Sequence, residues 1–443
     1  MKPLVAIIGR QNVGKSTLFN KIVGRRRSLV RNEPGVTRDR IYGNAEYSGR
    51  QFIVVDTGGL VSDAKGITAA IQQQTLFAIK EASAVIFLMD GRDGITPLDK
   101  EIHRMLKESG ARAIYAVNKI DTPSRSELDI AEFFELGVEK IFPIAAEHNR
   151  GIDDLLDNLV ELQPETADAP DSGQQLPRIA IIGRPNVGKS SFLNKLLGWE
   201  RVIVSEIPGT TRDSVDAVVE KNGRKYVFLD TAGIRRRTRI NTRIEQLSSI
   251  KAIRTIDDCN IGILMIDGIE GLVSQDLRIG EFIWDSGKGF ILVVNKLDLV
   301  LAKSGVKKSE KLKDEFISAV RKRYSFLAYV PIIFTSAVTG YGVDELMRTI
   351  EEVSLEHSKR VKTSDLNQTI RHAVRMNPPP SYGRGEVRIL YGTQISTSPP
   401  AIVIFTNHPE GISQTYNRYL MKKIHESFGF IGTPVSLIIR KKR

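Results

Sequence analysis

The sequence contains very little cysteine and no long apolar run. Cys259 is the one cysteine among 443 residues, so it cannot form an internal disulfide, and no Cys/His cluster has the spacing of a zinc site. The longest apolar runs, such as AVIFLM, are far shorter than the ~18 to 20 residues that span a bilayer. The sequence therefore excludes an integral membrane protein and favours a reducing cytosol.

The opening residues lack the pattern of a secretory signal. In MKPLVAIIGR the apolar run is short, and no small-residue cleavage site follows it. We expect this run to be a strand. Tryptophan is also scarce, and we expect Trp199, Trp284 and Cys259 to contribute packing alone.

Acidic residues are scarce toward the C-terminal end. Residues 357–443 hold 14 Lys and Arg residues against 4 Asp and Glu residues, which accounts for most of the net charge of +12. A basic segment attached to near-neutral domains indicates a polyanionic partner, most often nucleic acid. The alternative is a basic surface that serves solubility only.

A short acidic segment separates two copies of one domain. Residues 161–176 contain four acids and no basic residue, and we predict a flexible linker. AIIGRQNVGKSTLFNKIVG before it matches AIIGRPNVGKSSFLNKLLG after it, at an offset of 174 residues. PGVTRD, DTGG and NKID recur as PGTTRD, DTAG and NKLD. The repeat predicts tandem domains over residues 1–160 and 177–355.

Short apolar runs alternate with helical stretches in both copies. Continuous apolar runs predict strands that are buried on both faces of a mainly parallel sheet. The predicted fold class is α/β, with two doubly wound domains that have mainly parallel sheets. Residues 356–443 follow an α-β-β-α-β pattern, which predicts a small α+β domain.

Each copy contains a phosphate-binding motif of the form G-x-x-x-x-G-K-[ST] between a strand and a helix, which predicts two P-loop NTPase domains. Its backbone NH groups surround phosphates, its lysine reaches the β and γ phosphates, and its serine binds magnesium. The predicted nucleotide-binding residues are Gly9, Arg10, Gln11, Asn12, Val13, Gly14, Lys15 and Ser16, with Gly183, Arg184, Pro185, Asn186, Val187, Gly188, Lys189 and Ser190.

A D-T-x-G motif ends a later strand in each copy. Its aspartate can act on magnesium and its last glycine can face the γ-phosphate; a simple strand-end turn is the alternative. The predicted residues are Asp56, Thr57, Gly58 and Gly59, and Asp230, Thr231, Ala232 and Gly233. A loop threonine, Thr37 or Thr211, is predicted to complete the magnesium shell when a γ-phosphate is present.

An N-K-x-D motif indicates guanine as the base. Its carboxylate can accept hydrogen bonds from guanine N1 and the 2-amino group, and adenine would leave the buried carboxylate unpaired. The residues are Asn118, Lys119 and Asp121 in the first copy and Asn295, Lys296 and Asp298 in the second. The predicted ligands are GTP and GDP rather than ATP.

The order GRxNVGKS, PGxTRD, DTxG, NKxD resembles the Era-like branch of translation-factor-related GTPases. Two such domains with a basic C-terminal domain resemble the Der (EngA) family of double-Era-like GTPases over the whole chain. The resemblance implies a magnesium-dependent GTPase with a KH-like C-terminal domain. It also implies a bacterial, cytoplasmic ribosome-biogenesis factor that binds the large (50S) subunit or its precursor through rRNA, with no DNA or membrane partner. We expect a monomer.

The family's fifth motif is a Ser-Ala pair whose backbone contacts guanine. The second copy has Ser336 and Ala337, whereas the first has Ala145 and Ala146. The resemblance implies that the Ala146 NH takes over this contact, without a serine hydroxyl beside it.

Hydrolysis cannot use the glutamine that Ras-like proteins place after DxxG. Leu60 and Ile234 occupy these positions, and neither side chain can orient water. Related GTPases hold potassium at the position of Asn12 and Asn186, which implies potassium stimulation of a slow intrinsic rate. The alternative is that each asparagine only braces its loop.

The two copies differ after the D-T-x-G motif. The second copy has five arginines between Arg235 and Arg243 and a 14-residue insertion after Asp298. Either feature is a partner-binding patch or a solvated charged surface.

The C-terminal domain lacks the GXXG loop of KH modules. Its candidate RNA contacts, which would bind phosphates without reading sequence, are Lys422, Lys423, Arg440, Lys441, Lys442 and Arg443. The alternative is a domain that mainly docks on the second GTPase copy.

The predicted function is a GTP-gated timer in ribosome assembly. A nucleotide-state sensor with incidental hydrolysis is the main alternative, and a GTPase that acts on a membrane or protein partner is the third.

Overall fold

A computed structural model of the chain describes residues 2–24, 42–57, 79, 82–120, 130–162, 176–198, 203–208, 215–221, 223–229, 247–304, 309–383 and 385–442. The chain divides into two compact units, the first extending to residue 172 and the second starting at 173. Within the described ranges, no helix combines the length and the apolar character that a bilayer span requires.

The first unit contains a six-stranded sheet in the order β2-β3-β1-β4-β5-β6. All neighbours are parallel except β2 and β3. Its elements are β1 (Leu4–Ile8), α1 (Lys15–Gly24), β2 (Tyr42–Tyr47), β3 (Arg50–Asp56), β4 (Ala84–Asp90), α2 (Pro97–Ser109), β5 (Ala113–Asn118), β6 (Ile141–Pro143) and α3 (Ile152–Leu162).

The second unit begins with the repeat of this fold. Its seven-stranded sheet has the order β13-β12-β11-β7-β10-β9-β8. The elements are β7 (Arg178–Ile182), α4 (Lys189–Leu197), β8 (Ile203–Pro208), β9 (Val215–Lys221), β10 (Arg224–Phe228), α5 (Leu247–Asp258), β11 (Ile261–Asp267), α6 (Ser274–Asp285), β12 (Gly289–Asn295), α7 (Leu297–Ser304), α8 (Ser309–Arg323), β13 (Ile332–Phe334) and α9 (Val343–His357). The region between Asp298 and Ser336, where the 14-residue insertion is predicted, includes α8.

The central strands have the burial that the apolar runs predict. Every residue of β4, β11 and β12 is buried, because helices cover both faces of a parallel sheet. The predicted α/β class with two tandem P-loop domains is confirmed.

The C-terminal part of the second unit is an α+β domain, as predicted. Its elements are α10 (Thr363–Met376), β14 (Ile389–Thr397), β15 (Pro400–Thr406), α11 (Gln414–Phe428) and β16 (Ser436–Lys441). The three strands form a sheet in the order β14-β15-β16. The core between this sheet and the two helices includes Leu366, Ile404 and Leu420.

The C-terminal domain packs against the second GTPase copy through the loop after α11. The Phe290 NH at the start of β12 donates to the Gly432 carbonyl oxygen at 2.6 Å, and the Gly432 NH donates to the Tyr329 carbonyl oxygen at 2.7 Å. The His425 ring stacks on the Tyr329 ring with centroids 3.8 Å apart. These contacts connect the C-terminal domain to the leading ends of β12 and β13.

Candidate nucleotide-binding sites

The phosphate-binding loops have the backbone conformation that their glycines allow. The φ angles of Gly9 and Gly14 are 148° and 95°, and the asparagine between them, Asn12, has a φ of 65°. Gly183, Gly188 and Asn186 repeat these angles within a few degrees, at 154°, 99° and 64°. Left-handed conformations are accessible to glycine and tolerated by asparagine. Both loops therefore turn tightly between a strand end and the first turn of a helix.

Each loop lysine lies folded against its own loop. Lys15 Nζ donates to the carbonyl oxygens of Gly9 at 2.9 Å and Arg10 at 2.6 Å. Lys189 makes the same pair of contacts at 2.7 and 2.6 Å. Burial lowers the pKa of Lys15, and the charge of Asp56 offsets part of that shift. The ammonium is thus held at the centre of the loop, where phosphate oxygens would be its partners.

Ser16 and Asp56 are brought together as predicted for a magnesium site. Ser16 Oγ donates to Asp56 Oδ2 at 2.6 Å, and Asp56 is 1% exposed at the end of β3. A hydroxyl beside a carboxylate supplies the hard oxygen ligands that magnesium prefers. The residues present therefore fit this ion. In the second copy, Ser190 lies in the first turn of α4, while its predicted partner Asp230 lies outside the described residues.

Asn118 connects the phosphate loop with the fifth motif. Its side-chain NH2 donates to the Val13 carbonyl oxygen at 2.8 Å, and its Oδ1 accepts the Ala146 NH at 2.9 Å. The Ala146 NH, which was predicted to contact guanine, has this asparagine as its partner here. The contact with the base stays a prediction.

Asn295 repeats this connection in the second copy and adds one bond. It donates to the Val187 carbonyl oxygen at 2.8 Å and accepts from the Ala337 NH at 3.2 Å and from Thr335 Oγ1 at 3.1 Å. Ser336 Oγ accepts the Thr339 NH at 3.3 Å, a bond for which Ala145 of the first copy has no hydroxyl. The second copy therefore adds two side-chain hydrogen bonds around its fifth motif, those of Thr335 Oγ1 and Ser336 Oγ.

Sequence reasoning missed the acidic partner of the N-K-x-D lysine. Lys119 Nζ lies 2.5 Å from Asp90 Oδ2, and Lys296 Nζ lies 2.6 Å from Asp267 Oδ2. Burial raises the pKa of Asp90, but hydrogen bonds from Lys119 and the Arg92 NH outweigh it, so the pKa lies below its usual value. Asp90 and Asp267 both end a strand at the constant offset of 177 residues. That repetition is the signal by which they could have been found.

The predicted phosphate-loop arginines face acidic side chains. Arg10 Nη1 donates to Asp93 at 2.9 Å, and its Nε lies 3.5 Å from Asp99, which caps α2. Arg184 contacts Glu270 at 2.7 Å and the fully buried Asp276 at 3.0 Å in the same way. These arginines connect the two loops to α2 and α6, and sequence reasoning did not find their acidic partners.

Several predicted site residues lie outside the described parts of the chain. They are Thr37, Gly58, Gly59, Asp121, Thr211, Asp230, Thr231, Ala232, Gly233 and Arg443; Leu60, Ile234 and the arginines from Arg235 to Arg243 lie outside them as well. Thr57 is described, and its hydroxyl donates to the Ile7 carbonyl oxygen at 2.9 Å.

The remaining predicted residues fall into two groups. Gln11 and Asn12 are exposed in the first loop, as is Asn186 in the second, where Pro185 is half-buried. In the C-terminal domain, Arg440, Lys441 and Lys442 are exposed at the end of β16. Lys422 and Lys423 lie on α11, a separate element from this cluster.

Comparison with known proteins places the fold in a family. A family model described as "50S ribosome-binding GTPase" matches residues 4–119 and 178–296, which is more than half of the chain. A second model, "KH-domain-like of EngA bacterial GTPase enzymes, C-terminal", matches residues 360–440.

Full-length relatives agree with these matches. The GTPase Der of Moorella thermoacetica is 46% identical over 443 residues, covering 100% of this chain and 99% of the relative. The GTPase Der of Desulforamulus reducens is 44% identical over 441 residues, covering 100% of this chain and 98% of the relative. The resemblance inferred from the motifs is therefore confirmed, and the chain belongs to the GTPase Der family.

Proposed function

We propose that this GTPase is a ribosome-assembly factor that binds the large ribosomal subunit or its precursor through rRNA when GTP is bound, and leaves after hydrolysis. The observation that carries the proposal is the packing of a basic domain against the second of two P-loop domains. The name of the matching family model, a 50S ribosome-binding GTPase, supports this partner. We further propose a monomer in the bacterial cytoplasm, with the domain limits given above.

Each site binds the phosphates through its loop lysine and a magnesium ion. The paired oxygens of Ser16 and Asp56 support the assignment in the first copy. The proposed magnesium ligands are Ser16, Thr37 and Asp56, and Ser190, Thr211 and Asp230. When bound, magnesium neutralises charge on the β and γ phosphates. Lys15 and Lys189 exchange the loop carbonyls for phosphate oxygens as the nucleotide enters.

The guanine base is selected by Asp121 and Asp298. Asp298 is half-buried, and no hydrogen bond or ion pair within the described ranges engages its carboxylate. This leaves the carboxylate available to guanine N1 and the 2-amino group, as selection against adenine requires.

Potassium stimulates hydrolysis at both sites. The exposure and repeated conformation of Asn12 and Asn186 support a ligand position on each loop. The intrinsic rate is slow, and a partner raises it. Steady-state GTP hydrolysis in potassium chloride and sodium chloride at equal ionic strength tests this. We expect a loss of rate in sodium, and Asn12→Ala and Asn186→Ala should remove the difference. Equal rates in both salts would contradict potassium stimulation and favour a purely structural role for each asparagine in its loop.

Co-sedimentation with purified ribosomal subunits tests the assembly function. We expect binding to the large subunit with a non-hydrolysable GTP analogue and release with GDP. Lys15→Ala and Lys189→Ala identify the site that controls binding. Equal binding to the large subunit with either nucleotide, or no binding with either, would contradict the timer and favour the nucleotide-sensor alternative.

A further inference from the structure

An aromatic pair lies on the face of the C-terminal sheet that the helices do not cover. Tyr391 of β14 and Phe405 of β15 are cross-strand partners, and their rings stack with centroids 4.6 Å apart. Side chains alternate between the two faces of a strand. Ile404 belongs to the core beneath the helices, so Phe405 and Tyr391 stand on the opposite face. Tyr391 retains 39% exposure, and a flat ring is therefore open to a ligand.

Two cations lie on the same face of the sheet, beside the aromatic pair. Arg440 of β16 pairs with Phe405 in the parallel ladder, which places its side chain on the same face. Lys442 Nζ lies 6.0 Å from the centre of the Tyr391 ring. Within the described residues, no ion pair engages Arg440 or Lys442, and both are exposed. Positive charge therefore stands beside the aromatic pair without an acidic partner in the described structure.

Several other cations of this domain, among them both helix lysines, lie close to acids. Lys423 Nζ donates to Glu426 at 2.7 Å, and Lys422 Nζ lies 3.8 Å from the same carboxylate. Arg388 pairs with Glu386 at 2.8 Å. The helix lysines predicted as RNA contacts are thus weaker candidates than the cations on the sheet.

We propose that this surface, the β14–β16 platform of Tyr391, Phe405, Arg440 and Lys442, binds single-stranded RNA. A base stacks on Tyr391 while Arg440 and Lys442 contact phosphates. Every base has a π-face and every nucleotide a phosphate, so such a surface binds with little sequence preference. The choice of RNA among polyanions rests on the proposed function.

The charge of this surface favours RNA over a protein as its partner. Leu390 and Ile395, which lie at the two irregularities of β14, are exposed by 45% and 56% and would suit an apolar protein surface. The unbalanced cations beside Tyr391 are complementary to a phosphate backbone and favour the polyanion.

Fluorescence anisotropy of the full chain with a labelled, mixed-sequence single-stranded RNA tests the platform. Tyr391→Leu keeps an apolar contact with Phe405 and removes the stacking surface, and we expect affinity to fall by about fivefold or more. Lys442→Gln should lower the slope of log affinity against log salt by about 0.7. Lys422→Gln is the matched control and should change neither quantity.

Wild-type affinity in Tyr391→Leu, or an equal loss in Lys422→Gln, would overturn the platform. Circular dichroism and GTP hydrolysis by each variant establish that it is folded. Binding of RNA-free large-subunit proteins instead of RNA would assign the surface to a protein and also overturn the inference. Co-sedimentation with ribosomal subunits tests the proposed function separately. If the protein still binds the large subunit while Tyr391→Leu and Lys442→Gln leave RNA affinity unchanged, the platform is wrong and the proposed function stands.

Discussion

Asn118 places its side-chain NH2 2.8 Å from the Val13 carbonyl oxygen and thereby ties the phosphate loop of the first copy to the strand that carries the base-recognition motif. Its Oδ1 accepts the Ala146 NH at 2.9 Å. One buried amide thus satisfies two backbone groups from separate parts of the site. In the proposed function, phosphate binding and base binding therefore share a single positioning residue.

Removal of this amide should damage the first site selectively. Asn118→Ala leaves the Val13 carbonyl and the Ala146 NH unpaired in a buried environment, which costs about 1 to 3 kcal/mol. We expect GDP affinity at the first site to fall about tenfold or more. Titration with a fluorescent GDP analogue in the Lys189→Ala background measures the first site alone. Asn295→Ala in the Lys15→Ala background is the matched variant, and unchanged affinity in both would refute this role.

Magnesium should contribute more to nucleotide affinity when Ser16 is present. Ser16→Ala removes one of the two oxygens paired at 2.6 Å. We expect GDP to bind this variant more weakly in magnesium, while chelation with EDTA makes the variant and wild type alike. The measurement is calorimetric titration with and without EDTA in the Lys189→Ala background. A variant that responds to magnesium as wild type does would remove Ser16 from the metal site.

Gly432 should be required for packing of the C-terminal domain. A Cβ at Gly432 would lie 2.8 Å from the Phe290 carbonyl oxygen and 2.7 Å from a Val353 methyl, and the residue has a φ of 62°. Gly383 has nearly the same φ, 60°, with nothing within 4 Å of its Cβ position. Gly383→Ala therefore reports backbone strain alone. We expect the free energy of unfolding to fall by about 1 to 3 kcal/mol more in Gly432→Ala than in this control.

Denaturant unfolding and limited proteolysis of the full chain measure the effect. The C-terminal domain should be cleaved sooner in Gly432→Ala than in Gly383→Ala. Equal stability of the two variants would show that the loop does not need close packing against β12.

Acidic pH should weaken the same junction through His357. The ring is buried, and its Nε2 lies 2.9 Å from the Gly287 carbonyl oxygen. Burial lowers the pKa of His357, although the bond to Gly287 opposes the shift. The unfolded chain therefore binds a proton at a higher pH than the folded chain does. Stability from this residue is present above about pH 6.5 and is lost as the pH falls below it.

The free energy of unfolding, measured between pH 5 and 8, checks this expectation. His357→Gln keeps a donor for Gly287 and cannot titrate, so its stability should depend less on pH than that of wild type. If the free energy of unfolding depends on pH in the same way in both proteins, His357 is not the cause of the acid sensitivity.

Cys259 should not react in the folded protein. It is 1% exposed, its Sγ lies 3.3 Å from the Ile256 carbonyl oxygen, and burial raises the pKa of the thiol to about 12. The reactive thiolate is therefore scarce at pH 8. Mass spectrometry after iodoacetamide treatment should show no alkylation until denaturant is added. Rapid labelling of the native chain would contradict this burial.

The parallel core and the phosphate loops are predictable from sequence because their signals are local. A short continuous apolar run such as AVIFLMD favours a strand buried on both faces of a sheet, and a glycine-rich loop between strand and helix is typical of a phosphate-binding site. The antiparallel strands β2, β8 and β9 were not predicted. YGNAEY and VDAVVEK carry weaker patterns, and their pairing depends on neighbours distant in the chain.

The side-chain partners within the site are harder to predict for the same reason. Asp90 meets Lys119 only because β4 and β5 lie side by side, with Asp90 opposite Asn118. Nothing local to either residue encodes that pairing. The repeat does mark Asp90 and Asp267 as candidates, although it does not name their partners.

The loop around Gly432 has a thermodynamic consequence for the second site. It is bonded to Phe290, where β12 begins, and β12 ends at Asn295, which orders the base-recognition motif. β12 is only seven residues long and is buried throughout, so it connects this loop directly to Asn295. The C-terminal domain and the second guanine pocket should therefore melt as one cooperative block, and nucleotide bound at that pocket should slow amide hydrogen exchange in a domain that it does not touch.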